Sequence, residues 1–169
     1  MLAEGGGDID PEVDVVVLTW NDGPLLDTAL GSIRASQAVR ARVIVVDNAS
    51  SPPAVVGDDV TLLRNCRNRG VAGGRNQGVS AGSASYVCLL DSDAVLEPDA
   101  LRQLIDVLKQ DGVGIAVPVF AGQRPEQSAG RAPSAWVKVA RAVGLTDAYV
   151  PTSSSDAPAW DVDFGIGAC

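Results

Sequence analysis

The chain contains no histidine, and this absence excludes several classes of catalysis. Without an imidazole, neither a Ser-His-Asp nor a Cys-His catalytic group can form, and histidine-ligated zinc or iron sites are excluded as well. Cysteine is scarce: Cys66, Cys88 and Cys169 are far apart and form no CxxC pair. Neither a disulfide framework nor a thiolate metal site is therefore predicted. The chemistry must rest on carboxylates, hydroxyls, amides and arginine.

Basic residues are in the minority, and long apolar runs are lacking. The 169 residues include 13 Lys and Arg against 21 Asp and Glu, a net charge of -8, which disfavours nucleic acid as a partner. No run approaches the roughly 18 apolar residues of a membrane-spanning helix. With 46% apolar residues the chain can nevertheless bury a continuous core. We expect a cytoplasmic protein, either free or peripheral at the inner face of the membrane.

Short apolar runs alternate with amphipathic segments in the first 120 residues. The predicted strands are 13–18, 43–46, 60–63, 86–90 and 113–119, and the predicted helices are 24–36, 72–81 and 98–108. Such alternation predicts an α/β fold of Rossmann-like type, with a mainly parallel sheet and helices on both faces. We expect residues 1–12 to form a flexible tail and 13–120 the core. Residues 121–169 are expected to be irregular, with one helix at 135–143 and the start of a further, incomplete region.

Polar residues follow the predicted strands, where ligands bind in parallel sheets. Asp91 and Asp93 come directly after the fourth strand, and their spacing of two places both carboxylates on one side while the strand geometry persists. One cation would meet both, and an all-oxygen environment favours Mg²⁺ or Mn²⁺. The alternative is that these aspartates are ordinary loop residues after a strand.

The ends of the first two strands carry a second polar group. Asp47, followed by Asn48, has a carboxylate that would accept hydrogen bonds from a nucleobase. The alternative is an Asx turn in which these residues cap their own backbone. Thr19, Trp20 and Asn21 end the first strand and would contact the same base, unless Trp20 packs in the core.

Residues 68–78 form a polar segment with four glycines and two arginines that runs into a helix. Glycines permit close backbone approach, and arginines with a helix start supply donors for an anion. The segment matches neither GxGxxG nor GxxxxGK[ST], which argues against a dinucleotide fingerprint and a Walker phosphate loop. A glycine-rich turn without a ligand is the alternative.

Four segments, in this order and spacing, resemble the nucleotide-sugar-binding half of family 2 glycosyltransferases with the GT-A fold. They are VVLTWND (16–22), VVDNASS (45–51), NRGVAGGRNQG (68–78) and YVCLLDSD (86–93). The resemblance extends from Val13 to about Leu101, and WDVDFGIGAC (160–169) is similar to the segment that leads into the acceptor half. It implies transfer of a sugar from a nucleotide-diphosphate sugar to a hydroxyl of a glycan or lipid-linked acceptor, in bacterial cell-surface polysaccharide synthesis.

The resemblance also implies residue roles. Asp47 would bind the base, Asp91 would face the ribose, and Asp93, with Asp91, would hold the metal. The implied nucleotide-sugar-binding set is Thr19, Asn21, Asp47, Asn48, Gly73, Arg75, Asn76, Asp91 and Ser92. The general base of inverting members lies in a later acidic motif, expected beyond Cys169, and Asp161 and Asp163 do not match its position. We therefore expect no catalytic base within these residues and a chain that continues into an acceptor half.

Two other functions remain open. Residues 89–95 resemble the first motif of haloacid-dehalogenase-type phosphatases, with Asp91 as nucleophile and Asp93 as acid/base. In that family, however, the motif normally follows the first strand. The third hypothesis is a non-catalytic nucleotide-binding or interaction module that uses apolar surface around residues 164–169, and a homodimer would fit it.

Overall fold

Four apolar runs of the sequence form one parallel sheet. In the computed structural model, which describes residues 10–119, 129–130 and 164–165, the strands are β1 (Glu12–Thr19), β2 (Arg40–Asp47), β3 (Val60–Arg64) and β4 (Tyr86–Asp91). Their order is β3-β2-β1-β4, and each neighbouring pair is parallel. The predicted α/β class with a mainly parallel sheet is confirmed.

Helices cover both faces of this sheet. They are α1 (Gly23–Arg34), α2 (Gly70–Ala81) and α3 (Ala100–Leu108). Leu30 of α1 and Ile105 of α3 belong to the same buried cluster as Val17 of β1, whereas α2 lies against Val16 on the opposite face. Opposite faces are expected for α1 and α2, because the chain reverses its direction across the sheet at β1 and right-handed crossovers then change face.

Two glycines bring α2 close to the sheet. Gly74 and Gly78 are the buried residues of this helix, and their spacing of four places them on one face. A Cβ atom at Gly74 would overlap the side chain of Leu18, and one at Gly78 would overlap that of Val16. Two of the four glycines that the sequence assigned to ligand approach therefore serve helix–sheet packing.

One predicted strand is not formed. Residues 113–119 contain no regular secondary structure, and Ile115 is 84% exposed. The prediction of a strand there is wrong because a strand needs a partner, and in the described part of the chain no other strand pairs with this apolar run.

The chain divides into two compact units: the four-stranded sheet belongs to the first, and Val107–Gly167 forms the second. In the second unit, β5 (Ala129–Gly130) and β6 (Phe164–Gly165) form a short antiparallel pair. The predicted helix 135–143 lies outside the described residues. Among the described helices, none combines the length and the apolar character that crossing a bilayer requires.

Candidate functional site

The carboxyl ends of the four strands bring distant polar residues to one edge of the sheet. In the strand register, Thr19 of β1 pairs with Asp47 of β2, and Asp47 pairs with Arg64 of β3. On the other side of β1, Leu18 pairs with Asp91 of β4. Asp47 and Asp91 therefore flank β1, where the strand order reverses and α/β proteins form a ligand-binding crevice.

Asp47 orders the loop that follows β2. Its side chain is fully buried; Oδ1 accepts a hydrogen bond from Ser50 N at 2.8 Å and Oδ2 one from Ala54 N at 3.0 Å. Arg64 Nε lies 3.3 Å from Oδ2. Burial alone would raise the pKa of Asp47, but the hydrogen bonds from Ser50 and Ala54 and the charge of Arg64 outweigh it and hold the pKa below its usual value. Asp47 is therefore an ionised carboxylate at neutral pH.

The ends of β1 and β2 are tied together by Asn21. This residue adopts a left-handed backbone conformation with φ 65°. Its backbone N–H donates to Ser50 Oγ at 2.9 Å, and its Oδ1 accepts from Ser51 N at 2.7 Å. Thr19 is buried, whereas Trp20 is 55% exposed. The alternative that Trp20 packs in the core is therefore wrong.

Asn48 holds the segment that leads into α2. Its Nδ2 donates to Asn68 Oδ1 at 2.9 Å and to Gly70 O at 3.3 Å. Its Oδ1 accepts from Arg69 N at 2.9 Å and from Asn65 Nδ2 at 3.2 Å. An amide has two donor hydrogens and two acceptor lone pairs, so these four bonds fill its capacity. Asn48 therefore acts on residues 65–70 and positions them.

The DxD segment after β4 contacts two other elements. Asp91 Oδ1 lies 2.5 Å from Arg75 Nη2 on α2. Ser92 is buried, and its Oγ donates to Asp22 Oδ2 at 2.8 Å. Asp93 is exposed. The arginine of the glycine-rich segment and the loop after β1 thus both meet the DxD segment.

Gly73 and Asn76 lie in α2, one on each side of the Arg75 position. Asn76 is exposed, and the side chain nearest to Gly73 is that of Arg69. Sequence reasoning placed both beside a nucleotide, and this stays a prediction.

Sequence reasoning missed four residues that build this edge: Asp22, Arg64, Asn65 and Asn68. Asp22 belongs to the segment that follows β1, and Arg64 is the last residue of β3. The signal was available, because each lies within a few residues of a predicted strand end, where side chains of a parallel sheet converge.

The donor atoms at this edge suit a divalent cation that is shared with a ligand. In the part of the chain that the structure describes, no three acidic or cysteine side chains converge as metal ligands. Asp91 and Asp93 supply carboxylate oxygens, and Mg²⁺-like ions are commonly held by one or two carboxylates together with water and substrate phosphate oxygens. The residues therefore fit such a cation when a phosphate ligand completes its coordination.

The fold is similar to that of solved glycosyltransferase structures. The chain is similar to a mannosyltransferase, PcManGT from Pyrobaculum calidifontis in complex with GDP-Man and Mn²⁺, with a TM-score of 0.53 and 26% identity over 63% of this chain and 36% of that one. The fold also matches Staphylococcus aureus TarS 1-349 in complex with UDP-GlcNAc, with a TM-score of 0.50 and 16% identity over 63% of this chain and 37% of that one. The expected GT-A fold is thereby confirmed.

Comparison of the amino-acid sequence with known proteins identifies the family. Residues 14–150 match the model of glycosyl transferase family 2, and the chain belongs to that family. It is 36% identical over 113 residues to the succinoglycan biosynthesis protein ExoO of Rhizobium meliloti, covering 63% of this chain and 32% of that protein. A Haloferax volcanii glucosyl-dolichyl phosphate glucuronosyltransferase is 36% identical over 74 residues, 41% of this chain and 24% of that one. The chain spans a third or less of the length of these two relatives, and family membership favours the transferase over the phosphatase hypothesis.

Proposed function

We propose that this chain binds the donor substrate of a glycosyl transfer, a nucleotide-diphosphate sugar, together with a divalent cation. The observation that carries the proposal is the placement of Asp47 and Asp91 on the two sides of β1, at the carboxyl ends of the strands. Arg75 adds a positive group to the same edge. The mannosyltransferase that shares the fold is in complex with GDP-Man and Mn²⁺, which supports both parts of the proposal.

Each part of the donor has a proposed partner. The base lies against Asp47, with Thr19 and Asn21 from the neighbouring strand end. The ribose faces Asp91. The diphosphate and cation meet Asp93 and Arg75, because carboxylates suit a hard cation and a guanidinium suits phosphate oxygens.

The reaction follows from these partners. When bound, a divalent cation offsets the negative charge that develops on the departing nucleoside diphosphate. The acceptor hydroxyl attacks the anomeric carbon, the bond from that carbon to the diphosphate oxygen breaks, and the hydroxyl proton passes to a base. That base and the glycan or lipid-linked acceptor belong, in our proposal, to the acceptor half of the whole protein, at or near the inner face of the membrane.

The donor is tested by calorimetric titration of the purified chain with UDP, dTDP and GDP, each with Mn²⁺ and again with EDTA. We expect one nucleotide to bind saturably in Mn²⁺ and to lose its binding in EDTA, which would also identify the base. A folded chain that binds none of the three with Mn²⁺ would contradict donor binding.

Asp93→Ala sharpens the same test. We expect it to abolish Mn²⁺-dependent nucleotide binding and to change the free energy of unfolding by less than about 0.5 kcal/mol, since Asp93 is an exposed residue. Asp58→Ala is the matched control, because Asp58 is also exposed but precedes β3, at the opposite edge of the sheet. Equal nucleotide affinity in Asp93→Ala and the parent chain would remove Asp93 from the site.

A further inference from the structure

We propose that Arg75 is an internal counter-ion of Asp91, which makes the site accept a divalent cation and a diphosphate together in preference to the cation alone. The inference rests on the proposed donor site and deepens it. Arg75 would neutralise the carboxylate of Asp91 as well as contact the nucleotide, and binding of the cation would thereby be coupled to binding of the diphosphate.

The position of Arg75 is fixed by the packing of its helix. Arg75 is the neighbour of Gly74, and Gly74 and Gly78 seat α2 directly on β1. The guanidinium lies against Asp91 with Nη2 2.5 Å from Oδ1, and only 18% of the Arg75 side chain is exposed. The packing of α2 therefore fixes the backbone of Arg75 relative to β1, with its side chain beside Asp91.

The charges at this edge explain why a lone cation would bind weakly. Within the DxD segment, Asp91 and Asp93 contribute two negative charges, and Arg75 offsets that of Asp91. The carboxylate of Asp22 is engaged by Ser92 Oγ. Affinity for hard cations rises with the number of charged carboxylate ligands, and the described residues offer no third acidic ligand here. A cation that competes for Asp91 must also lie near a fixed positive charge, which costs Coulomb energy.

A diphosphate removes this conflict. Its oxygens coordinate the cation and accept hydrogen bonds from the guanidinium, since arginine binds phosphate and carboxylate with the same fork of donors. Arg75 then exchanges part of its contact with Asp91 for phosphate, and the carboxylate of Asp91 becomes available to the cation and the ribose. Cation and diphosphate should therefore bind with positive coupling, each raising the affinity for the other.

The first test measures Mn²⁺ binding without nucleotide, from the electron paramagnetic resonance signal of free Mn²⁺. Arg75→Gln should bind Mn²⁺ about five- to tenfold more tightly than the parent chain, because a nearby positive charge is removed. Arg34→Gln is the matched control, since Arg34 also pairs with an aspartate, Asp59, but at the amino edge of the sheet. It should leave Mn²⁺ affinity unchanged. Equal or weaker Mn²⁺ binding by folded Arg75→Gln would overturn the proposal.

A second comparison does not depend on the folding of Arg75→Gln. If Arg75 already neutralises Asp91, then Asp91→Asn should reduce Mn²⁺ affinity less than Asp93→Asn does, because the charge removed with Asp91 is already offset. Equal losses of Mn²⁺ affinity in the two aspartate variants would contradict the counter-ion role.

The nucleotide is then added to separate this inference from the proposed function. With the nucleotide identified by calorimetry, Arg75→Gln should weaken its Mn²⁺-dependent binding although it strengthens binding of Mn²⁺ alone. Opposite changes in the affinity for nucleotide and in the affinity for Mn²⁺ alone are expected only if Arg75 is a counter-ion of Asp91. A parent chain that binds no nucleotide contradicts the donor site, whereas a parent that binds nucleotide while Mn²⁺ affinity is unchanged by Arg75→Gln contradicts only the counter-ion.

Discussion

Two aspartate–arginine pairs, Asp14–Arg42 at the amino edge of the parallel sheet and Asp91–Arg75 at its carboxyl edge, differ in which partner is enclosed. At the amino edge, Asp14 is fully buried while Arg42 is half exposed. At the carboxyl edge, Arg75 is the more enclosed partner, 18% exposed, and Asp91 is 33% exposed. Asp14–Arg42 thus presents its arginine to solvent and Asp91–Arg75 its carboxylate. Asp47–Arg64, also at the carboxyl edge, resembles the first pair, with the Arg64 side chain 47% and the Asp47 side chain 1% exposed.

The carboxylate of Asp14 has a structural role, because hydrogen-bond donors of the protein surround it. It accepts a bidentate pair of hydrogen bonds from Arg42 at 2.6 and 2.8 Å, and backbone N–H bonds from Ser83 at 2.6 Å and Ala84 at 2.8 Å. The bonds from Arg42, opposed by burial and reinforced by the N–H groups of Ala84 and Ser83, hold the pKa of Asp14 below its usual value. Such a carboxylate fixes the start of β4 against β1, whereas the open carboxylate of Asp91 can meet a ligand.

The largest effect on stability should therefore come from the amino edge. Asp14→Ala leaves the N–H groups of Ser83 and Ala84 without their acceptor and removes the partner of Arg42. We expect it to lower the free energy of unfolding by about 2 to 4 kcal/mol, with unchanged nucleotide affinity in the molecules that remain folded. Urea unfolding measures the first quantity and calorimetry under native conditions the second.

Asp91→Ala is the control for this comparison of edges. Because Asp91 is one-third exposed, its loss should cost about 1 kcal/mol or less and should weaken metal-dependent binding instead. If the two substitutions had equal effects on unfolding, the distinction between a structural and a functional pair would be wrong.

A smaller effect is expected from Asn48, which positions the segment before α2. Asn48→Ala removes four hydrogen bonds in a buried place, and we expect a loss of about 1 to 3 kcal/mol in the free energy of unfolding. In Asn48→Ala we also expect faster hydrogen exchange at the backbone amide of Arg69, because that amide donates to Asn48 Oδ1 in the parent chain. Asn76→Ala, at an exposed amide of α2, is the control and should change stability by less than about 0.5 kcal/mol. An unchanged exchange rate at Arg69 would contradict the positioning role of Asn48.

The sheet was predictable from the sequence because its strands are short apolar runs that can be recognised without knowledge of their partners. Val15, Val16 and Val17 are all fully buried, and an uninterrupted apolar run of this kind indicates a strand covered on both faces. The apolar run at residues 113–119 forms no strand. It is apolar like β1, but it also contains Gly114 and Pro118, which weaken a strand, and pairing depends on the rest of the fold.

The site was predictable in its location and less so in its contacts. That Asp47, Asp91 and Asn21 lie at one edge was predictable because a parallel sheet gathers its strand ends, and their roles in binding stay predictions. The pairing of Arg75 with Asp91 depends on how deeply α2 sits on the sheet, which is set by Gly74 and Gly78 and was interpreted as ligand approach. Likewise, the saturation of the Asn48 amide depends on where residues 65–70 fold back, and no local pattern encodes it.

A single hydrogen bond tests whether the carboxyl edge is held together as a unit. Ser92→Ala removes one hydrogen bond, from Ser92 Oγ to Asp22 Oδ2 at 2.8 Å, and should lower the free energy of unfolding by about 0.5 to 1.5 kcal/mol. Asp22→Asn keeps an acceptor oxygen and should cost less. Because the bond joins the end of β1 to the DxD segment, nucleotide affinity should fall with Ser92→Ala, and a double-mutant cycle with Asp22→Ala isolates the shared contribution. Additive effects in that cycle would mean that Asp22 and Ser92 act separately, and the two strand ends would then have to be aligned by the sheet alone.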